Sequence, residues 1–217
     1  MKQVFKDIWM VESFGKDSNI YVVDGEIIID TGTGANFSII KNDMEKYINK
    51  KKITKIINTH AHFDHTGGNK KFRDWTKAEI LAHKDDKNLI EKGITCADLF
   101  DEIAKTVTVD KELKDGDRIK TENFDFKVIS TPGHTPGSIC LYDKMKKVLI
   151  SGDTLFENGV GRTDLPYGNA EDLMNSINKL SKLEISYLLP GHGPPKFGGI
   201  SFLIKQVLAN QIKPLHI

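Results

Sequence analysis

Cysteine occurs only twice in this chain, at Cys96 and Cys140, far apart and with no C-x-x-C spacing. Two reduced, buried thiols are the expectation, rather than a disulfide or metal ligands. Charge of one sign is equally scarce: the formal net charge is +1, so nothing favours nucleic acid or an acidic membrane as a partner. Lysines are common, but acids are interleaved with them along the expected helices, as on a solvated face. No window approaches the uninterrupted apolar length of a membrane span. The opening MKQVFKDIWMV has neither a long apolar stretch after its basic residue nor a small-residue cleavage site, which speaks against a secretory signal and for a cytoplasmic protein. Linkers and low-complexity tracts are also missing. At 217 residues, a single domain over 1–217 is expected.

What is present is an unusual density of histidine and carboxylate. The run Thr59-His60-Ala61-His62-Phe63-Asp64-His65 places four candidate metal ligands within six positions. Side chains of this kind are costly to bury together unless a cation supplies the missing charge. Histidines two apart on an extended loop can reach one ion, and Asp64 and His65 then point toward a second. The preceding Ile53–Asn58 is short and β-branched and reads as a buried strand. The following Thr66-Gly67-Gly68-Asn69 is turn chemistry that can open a helix.

Hydrophobic periodicity predicts strands over Phe5–Val11, Asn19–Val23 and Glu26–Asp30, the last two joined by an Asp24-Gly25 hairpin. A helix follows from about Phe37 to Asn49, with Ile40, Met44, Tyr47 and Ile48 on one face. Glu79–Ala82 reads as a strand, His83–Lys92 as a helix, and Gly93–Lys114 as an excursion over the surface. In the second half, Asp125–Ser130, Ser138–Tyr142, Lys147–Ile150 and Ile185–Leu189 read as strands. Asn169–Leu183 is the clearest amphipathic helix, with Leu173, Ile177 and Leu180 as its stripe and acids in its first turn. A short helix follows from Ile200. His60, His134, Asp153 and His192 each lie just beyond an expected strand, on loops rich in Gly, Pro or Thr, where sites are built.

T-H-A-H-F-D-H, P-G-H-T-P-G, S-G-D-T-L-F and P-G-H-G, in that order, resemble the metallo-β-lactamase superfamily, and within it the short glyoxalase II-like hydrolases. The resemblance spans the opening strands to His192. It implies an α/β fold, a four-layer αββα sandwich with two facing sheets and helices outside. It further implies that His60, His62 and His134 hold one divalent cation, that Asp64, His65 and His192 hold a second, and that Asp153 bridges them. A lone histidine is more often a core or capping residue; seven matching positions argue against that reading. The nitrogen and oxygen donor set suits zinc first, with iron or manganese as alternatives.

On such a site the implied reaction is hydrolysis of a small-molecule thioester, an S-2-hydroxyacyl thiol such as hydroxyacylglutathione, by a water activated between the metals, with Asp64 as a candidate proton acceptor. Thr154-Leu155-Phe156 after the bridging aspartate resembles the glyoxalase II side of the superfamily. Only 25 residues follow His192, which leaves no room for the C-terminal helical domain that carries much of the glutathione pocket in full-length glyoxalase II. The rival is a persulfide dioxygenase, which P-G-H-T-P-G and Gly161-Arg162-Thr163-Asp164 also resemble. Its single iron would be held at His60, His134 and Asp153. Lactone hydrolysis is a third possibility. Among the remaining residues, His83 reads as a helix-start or packing residue ahead of a ligand, and His216 as exposed and idle. Arg162 reads as fixing the loop carrying Asp153 through a carboxylate pair, ahead of meeting an anionic substrate. Asp30 and Thr31 read as shaping the turn beneath the site.

Overall fold

The computed structural model describes residues 1–209; His216 lies outside them. The chain divides into two compact units. One comprises Met1–Leu113 with Thr121–Asn123, and the other Lys114–Lys120 with the described residues from Phe124 onward.

The first unit is built on a seven-stranded sheet in sequence order. Its strands are β1 (Lys2–Phe5), β2 (Ile8–Val11), β3 (Ile20–Val23), β4 (Ile27–Ile29), β5 (Lys55–Ile57), β6 (Glu79–His83) and β7 (Lys111–Leu113). The expected first strand is in fact a hairpin. Asp7 takes a left-handed φ of 62°, a conformation that a short polar side chain tolerates, and the chain reverses there. Asp24 and Gly25 are both left-handed, φ 52° and 66°, as the β3–β4 turn requires.

From β4 to β7 every pairing is parallel, so helices must carry the chain back between strands. Helix α1 (Phe37–Met44) makes the first return, α2 (Phe63–Thr66) with α3 (Asn69–Thr76) the second, and α4 (Lys84–Lys92) the third. Helix α1 is shorter than its hydrophobic pattern suggested. It closes in turn bonds from Tyr47 and Ile48 to Met44 O. Ile40 and Met44 are buried, but Tyr47 is turned out against Trp9, ring centroids 4.9 Å apart. The 93–114 segment is not wholly an excursion, because β7 joins the sheet edge at its end. Ile20, Val22, Ile28, Ile56, Phe72 and Ile80 form the core between this sheet and its helices.

The second unit carries a six-stranded sheet and a two-stranded ribbon. The large sheet contains β8 (Arg118–Lys120), β9 (Asp125–Ser130), β10 (Ile139–Asp143), β11 (Val148–Gly152), β14 (Tyr187–Pro190) and β15 (Lys196–Phe197), in the order β15-β14-β11-β10-β9-β8. β12 (Leu155–Phe156) and β13 (Gly159–Val160) form the ribbon. Helix α5 (Ala170–Leu180) starts on Asn169, whose side chain accepts from the N–H groups of Glu171 and Asp172, and the expected stripe of Leu173, Ile177 and Leu180 is buried. The expected C-terminal helix is α6 (Ile200–Leu208), which packs Leu203, Ile204 and Val207 into the same core. Both cysteines are buried thiols. No helix among the described residues is long and apolar enough to cross a membrane.

Strand direction places the ligand-type residues. β4, β5 and β6 run parallel, so Asp30 and His60, beyond the ends of β4 and β5, and His83, at the end of β6, lie at one edge of the first sheet. In the second sheet β9 and β11 are each antiparallel to β10, and β11 is parallel to β14. β9, β11 and β14 therefore run the same way, and His134, Asp153 and His192 follow their C-terminal ends at one edge. That edge is where open α/β sheets bind ligands.

Candidate metal centre

The seven expected ligands divide four and three between the two units. In the first, β5 ends and the chain runs extended through His62 (φ −62°, ψ 150°) before winding into the single turn of α2, which holds Asp64 and His65. The His60 and His62 rings meet edge to face at 4.9 Å, and the His60 and His65 rings lie 4.0 Å apart. All three histidines are buried, and Asp64 keeps 16% of its side chain exposed.

Polar contacts orient these rings. His65 Nδ1 lies 2.8 Å from Asp30 Oδ2, and the same carboxylate accepts from Thr59 N–H and Thr59 Oγ1, both at 2.8 Å. His60 Nδ1 lies 3.1 Å from Thr59 Oγ1. The His65 carbonyl accepts from Thr31 N–H and Thr31 Oγ1, and a buried amide pair, Asn58 and Asn69, locks behind it. Committing Nδ1 leaves Nε2 as the nitrogen a metal would take, the usual arrangement around ligating histidines. Asp30 is thus more than a turn residue: it orients a ligand. Asn58 and Asn69 were not singled out in the sequence, where one follows a short strand and the other opens a helix.

In the second unit one carboxylate oxygen serves two histidines. Asp153 Oδ2 is 3.5 Å from His134 Nε2 and 3.6 Å from His192 Nε2. His65 Nε2 stands 3.5 Å from Asp64 Oδ2 in the first unit. Ligand atoms bonded at about 2.0–2.2 Å to a tetrahedral cation sit about 3.3–3.6 Å from one another. These pairs have the spacing of co-ligands and are too long for strong hydrogen bonds. The donors are nitrogen and oxygen with no thiolate, and they are buried, so the residues fit a borderline or hard divalent cation.

His134 is oriented by its Nδ1, 2.7 Å from the Arg162 carbonyl. The Arg162 side chain pairs with a carboxylate, that of Asp164. It makes a two-pronged bond to Asp164, Nε to Oδ1 at 2.8 Å and Nη2 to Oδ2 at 2.7 Å, which fixes the turn presenting that carbonyl. Gly161 sits where no side chain fits, since a Cβ there would fall 2.0 Å from Asp153 O and 3.2 Å from His134 Cγ. Below the loops, Thr131 Oγ1 and Thr154 Oγ1 bond at 2.9 Å, tying the strand end before His134 to the residue after Asp153. His83 caps α4, its Nδ1 3.3 Å from Asp85 N, as expected of a helix start.

The sequence matches the metallo-β-lactamase superfamily model over residues 14–192. A probable metallo-hydrolase of Methanocaldococcus jannaschii is 35% identical over 201 residues, 86% of this chain and 92% of the relative. A hydroxyacylglutathione hydrolase of Haemophilus influenzae is 35% identical over 175 residues, 76% and 79% of the two chains. Among solved structures, TTHA1623 in a di-iron-bound form superposes with a TM-score of 0.76 at 27% identity, covering 95% of this chain and 98% of that one. With its two sheets, its helices and its His/Asp ligand loops, this chain belongs to the metallo-β-lactamase superfamily of metal-dependent hydrolases.

Proposed function

We propose that this protein hydrolyses a thioester, an S-2-hydroxyacyl derivative of glutathione or of a related small thiol, using two divalent cations. His60, His62 and His134 hold the first, Asp64, His65 and His192 the second, and Asp153 bridges them. The observation that carries the reading is Asp153 Oδ2 at co-ligand spacing from both His134 and His192, one histidine from each proposed set. The 34–35% identity to proteins named hydroxyacylglutathione hydrolase supports the substrate class, as does Thr154-Leu155-Phe156 after the bridging aspartate.

When bound, a metal pair polarises the substrate carbonyl and brings the pKa of a coordinated water toward neutrality. The chain's own part is to fix both positions. Asp30 and the Arg162 carbonyl set the His65 and His134 rings. Asp64, the most open carboxylate of the set, can take a proton at Oδ. The leaving thiolate needs no acid from the protein, since a thiol pKa of about 8.5 makes it a good leaving group. Zinc is the first expectation for the metal, with iron or manganese as alternatives.

The test is metal analysis beside a panel of thioester, lactone and persulfide substrates, on the wild type and Asp153→Ala. Two metals per chain with thioester turnover, both lost in Asp153→Ala, is the expected result. One iron per chain with persulfide-dependent oxygen uptake replaces the reading with a dioxygenase.

A further inference from the structure

We propose that Phe100 and Lys16 are positioning residues for the second cation, closing a clasp around the ligand turn α2 that fixes Asp64. The inference rests on the two-metal reading above and adds to it residues that lie outside the ligand motifs. All of them belong to the first unit.

Helix α2 is one turn of four residues and holds two of the proposed ligands, Asp64 and His65. Its first N–H, on Phe63, has no acceptor within the turn, and His62 before it supplies no side-chain cap. The Thr95 carbonyl takes that N–H instead, at 3.0 Å. The Phe63 ring meets the ring of Phe100, centroids 5.3 Å apart. Main chain and side chain of the residue between His62 and Asp64 are therefore both seated on the segment 95–100.

That segment is not held by a core of its own. Ile94, Leu99 and Ile103 are exposed. Cys96 takes a left-handed φ of 60° where the short 3₁₀ turn Ala97–Phe100 begins, a costly conformation for a residue with a Cβ. The chain turns there, between the carbonyl that receives Phe63 N–H and the ring that meets Phe63. Backbone strain of this kind gathers beside functional sites.

Lys16 ties the segment down. Its Nζ donates to Phe100 O at 2.7 Å and to Glu102 Oε1 at 3.1 Å. Two residues on, Ser18 N–H donates to Asp64 O at 3.2 Å. The contacts form a closed circuit from Lys16 to Phe100, across to Phe63, along the chain to Asp64, and back through Ser18. His60 and His65 are oriented by Thr59, Asp30 and Thr31, which lie outside this circuit. The His62 ring is set edge to face against His60. Loosening the clasp therefore displaces Asp64 most, and with it the second cation more than the first.

The experiment loads the metal-depleted protein with cobalt(II), whose visible absorption reports the coordination of each ion, and measures both affinities by chelator competition. Asp64→Asn identifies which of the two uptake steps belongs to its set. Phe100→Ala should weaken that step by about 10–100-fold, as for other residues that orient ligands, and leave the other step within about twofold. Phe100→Tyr keeps a ring beside Phe63 and should restore the wild-type affinity. Lys16→Met cuts the tether, leaves every ring in place and should shift the same step in the same direction, which keeps the test open if Phe100→Ala does not fold. Both steps weakened alike, or neither weakened, overturns the clasp. A wild type that takes up one ion under saturating cobalt(II) overturns the two-metal reading, and the clasp with it, before any variant is made.

Discussion

His65 and Asp30 face one another inside the first unit with Nδ1 2.8 Å from Oδ2, both side chains almost fully buried. Asp30 adopts a left-handed φ of 58° directly after β4, which turns the chain so that its carboxylate lies under the ligand loop. A carboxylate accepts the Nδ1 proton and so fixes the tautomer that offers Nε2 to a metal. Asp30→Asn keeps the shape but sets an amide N–H against that proton or loses a bond to Thr59. We expect metal affinity to fall by roughly 10–100-fold, measured by competition with a chelator. Unchanged affinity would show that packing alone positions His65.

Gly161→Ala tests the crowding around the bridging aspartate. The added methyl would collide with the Asp153 carbonyl and press on the His134 ring, so the loop must move. An overpacking cost of about 1–3 kcal/mol is expected in stability. Metal loading should drop while the far-ultraviolet circular dichroism stays native. Full loading in the variant would mean the loop yields without disturbing its ligands.

The amphipathic helices and the strand ends were legible because burial imposes a period: Leu173, Ile177 and Leu180 recur at helical spacing and are buried together. The ligands were legible because histidine and aspartate are improbable in such clusters without an ion. Short strands such as β8 and β12 carry too few residues for any period to emerge. The turn at Asp7 went unread, since a lone left-handed aspartate leaves no pattern. The partners of the ligands stayed hidden for a related reason. Asp30 is thirty-five positions from His65, and what Arg162 gives His134 is a main-chain carbonyl, which every residue possesses.

Stability and metal binding should separate at Ile177. It is fully buried in the core of the second unit and is not one of the proposed ligands. Ile177→Ala should cost about 2–5 kcal/mol in urea denaturation through lost burial and a residual cavity. Metal stoichiometry at 25 °C should remain that of the wild type as long as the variant is folded.

Cys140 sets an alkaline limit. Burial pushes its thiol from an ordinary 9.0 up to about 11, only partly offset by hydrogen bonds from Thr131 and Thr154. A pKa raised in the folded state means that the folded protein holds the proton longer. The associated stability is complete below pH 9 and is lost as pH rises toward and through about 11. Tyr21 and Tyr142, both buried, are shifted upward as well, first by burial, and add to the same limb. Comparing urea midpoints of the wild type and Cys140→Ala between pH 8 and 11 isolates the thiol's share: the variant should lose less stability across that interval. The native thiol should also resist a disulfide-exchange reagent at pH 8, and rapid labelling of Cys140 without unfolding would contradict its burial.

Arg162 separates a positioning role from direct substrate binding. Its guanidinium makes a two-pronged bond to Asp164, and its carbonyl reaches His134. The ion pair is partly exposed, with 21% and 54% of the two side chains accessible, so its own contribution to stability is at most about 1 kcal/mol. Arg162→Lys loses the forked geometry while keeping the charge, and Asp164→Asn weakens the same pair from the other side. If the pair serves to hold the carbonyl, each single change should weaken metal binding by less than about tenfold. The double variant should then be no worse than the worse single one, because both remove one interaction. KM should stay within about twofold throughout. A large rise in KM for Arg162→Lys, absent from Asp164→Asn and with metal content intact, would instead place the guanidinium on the substrate.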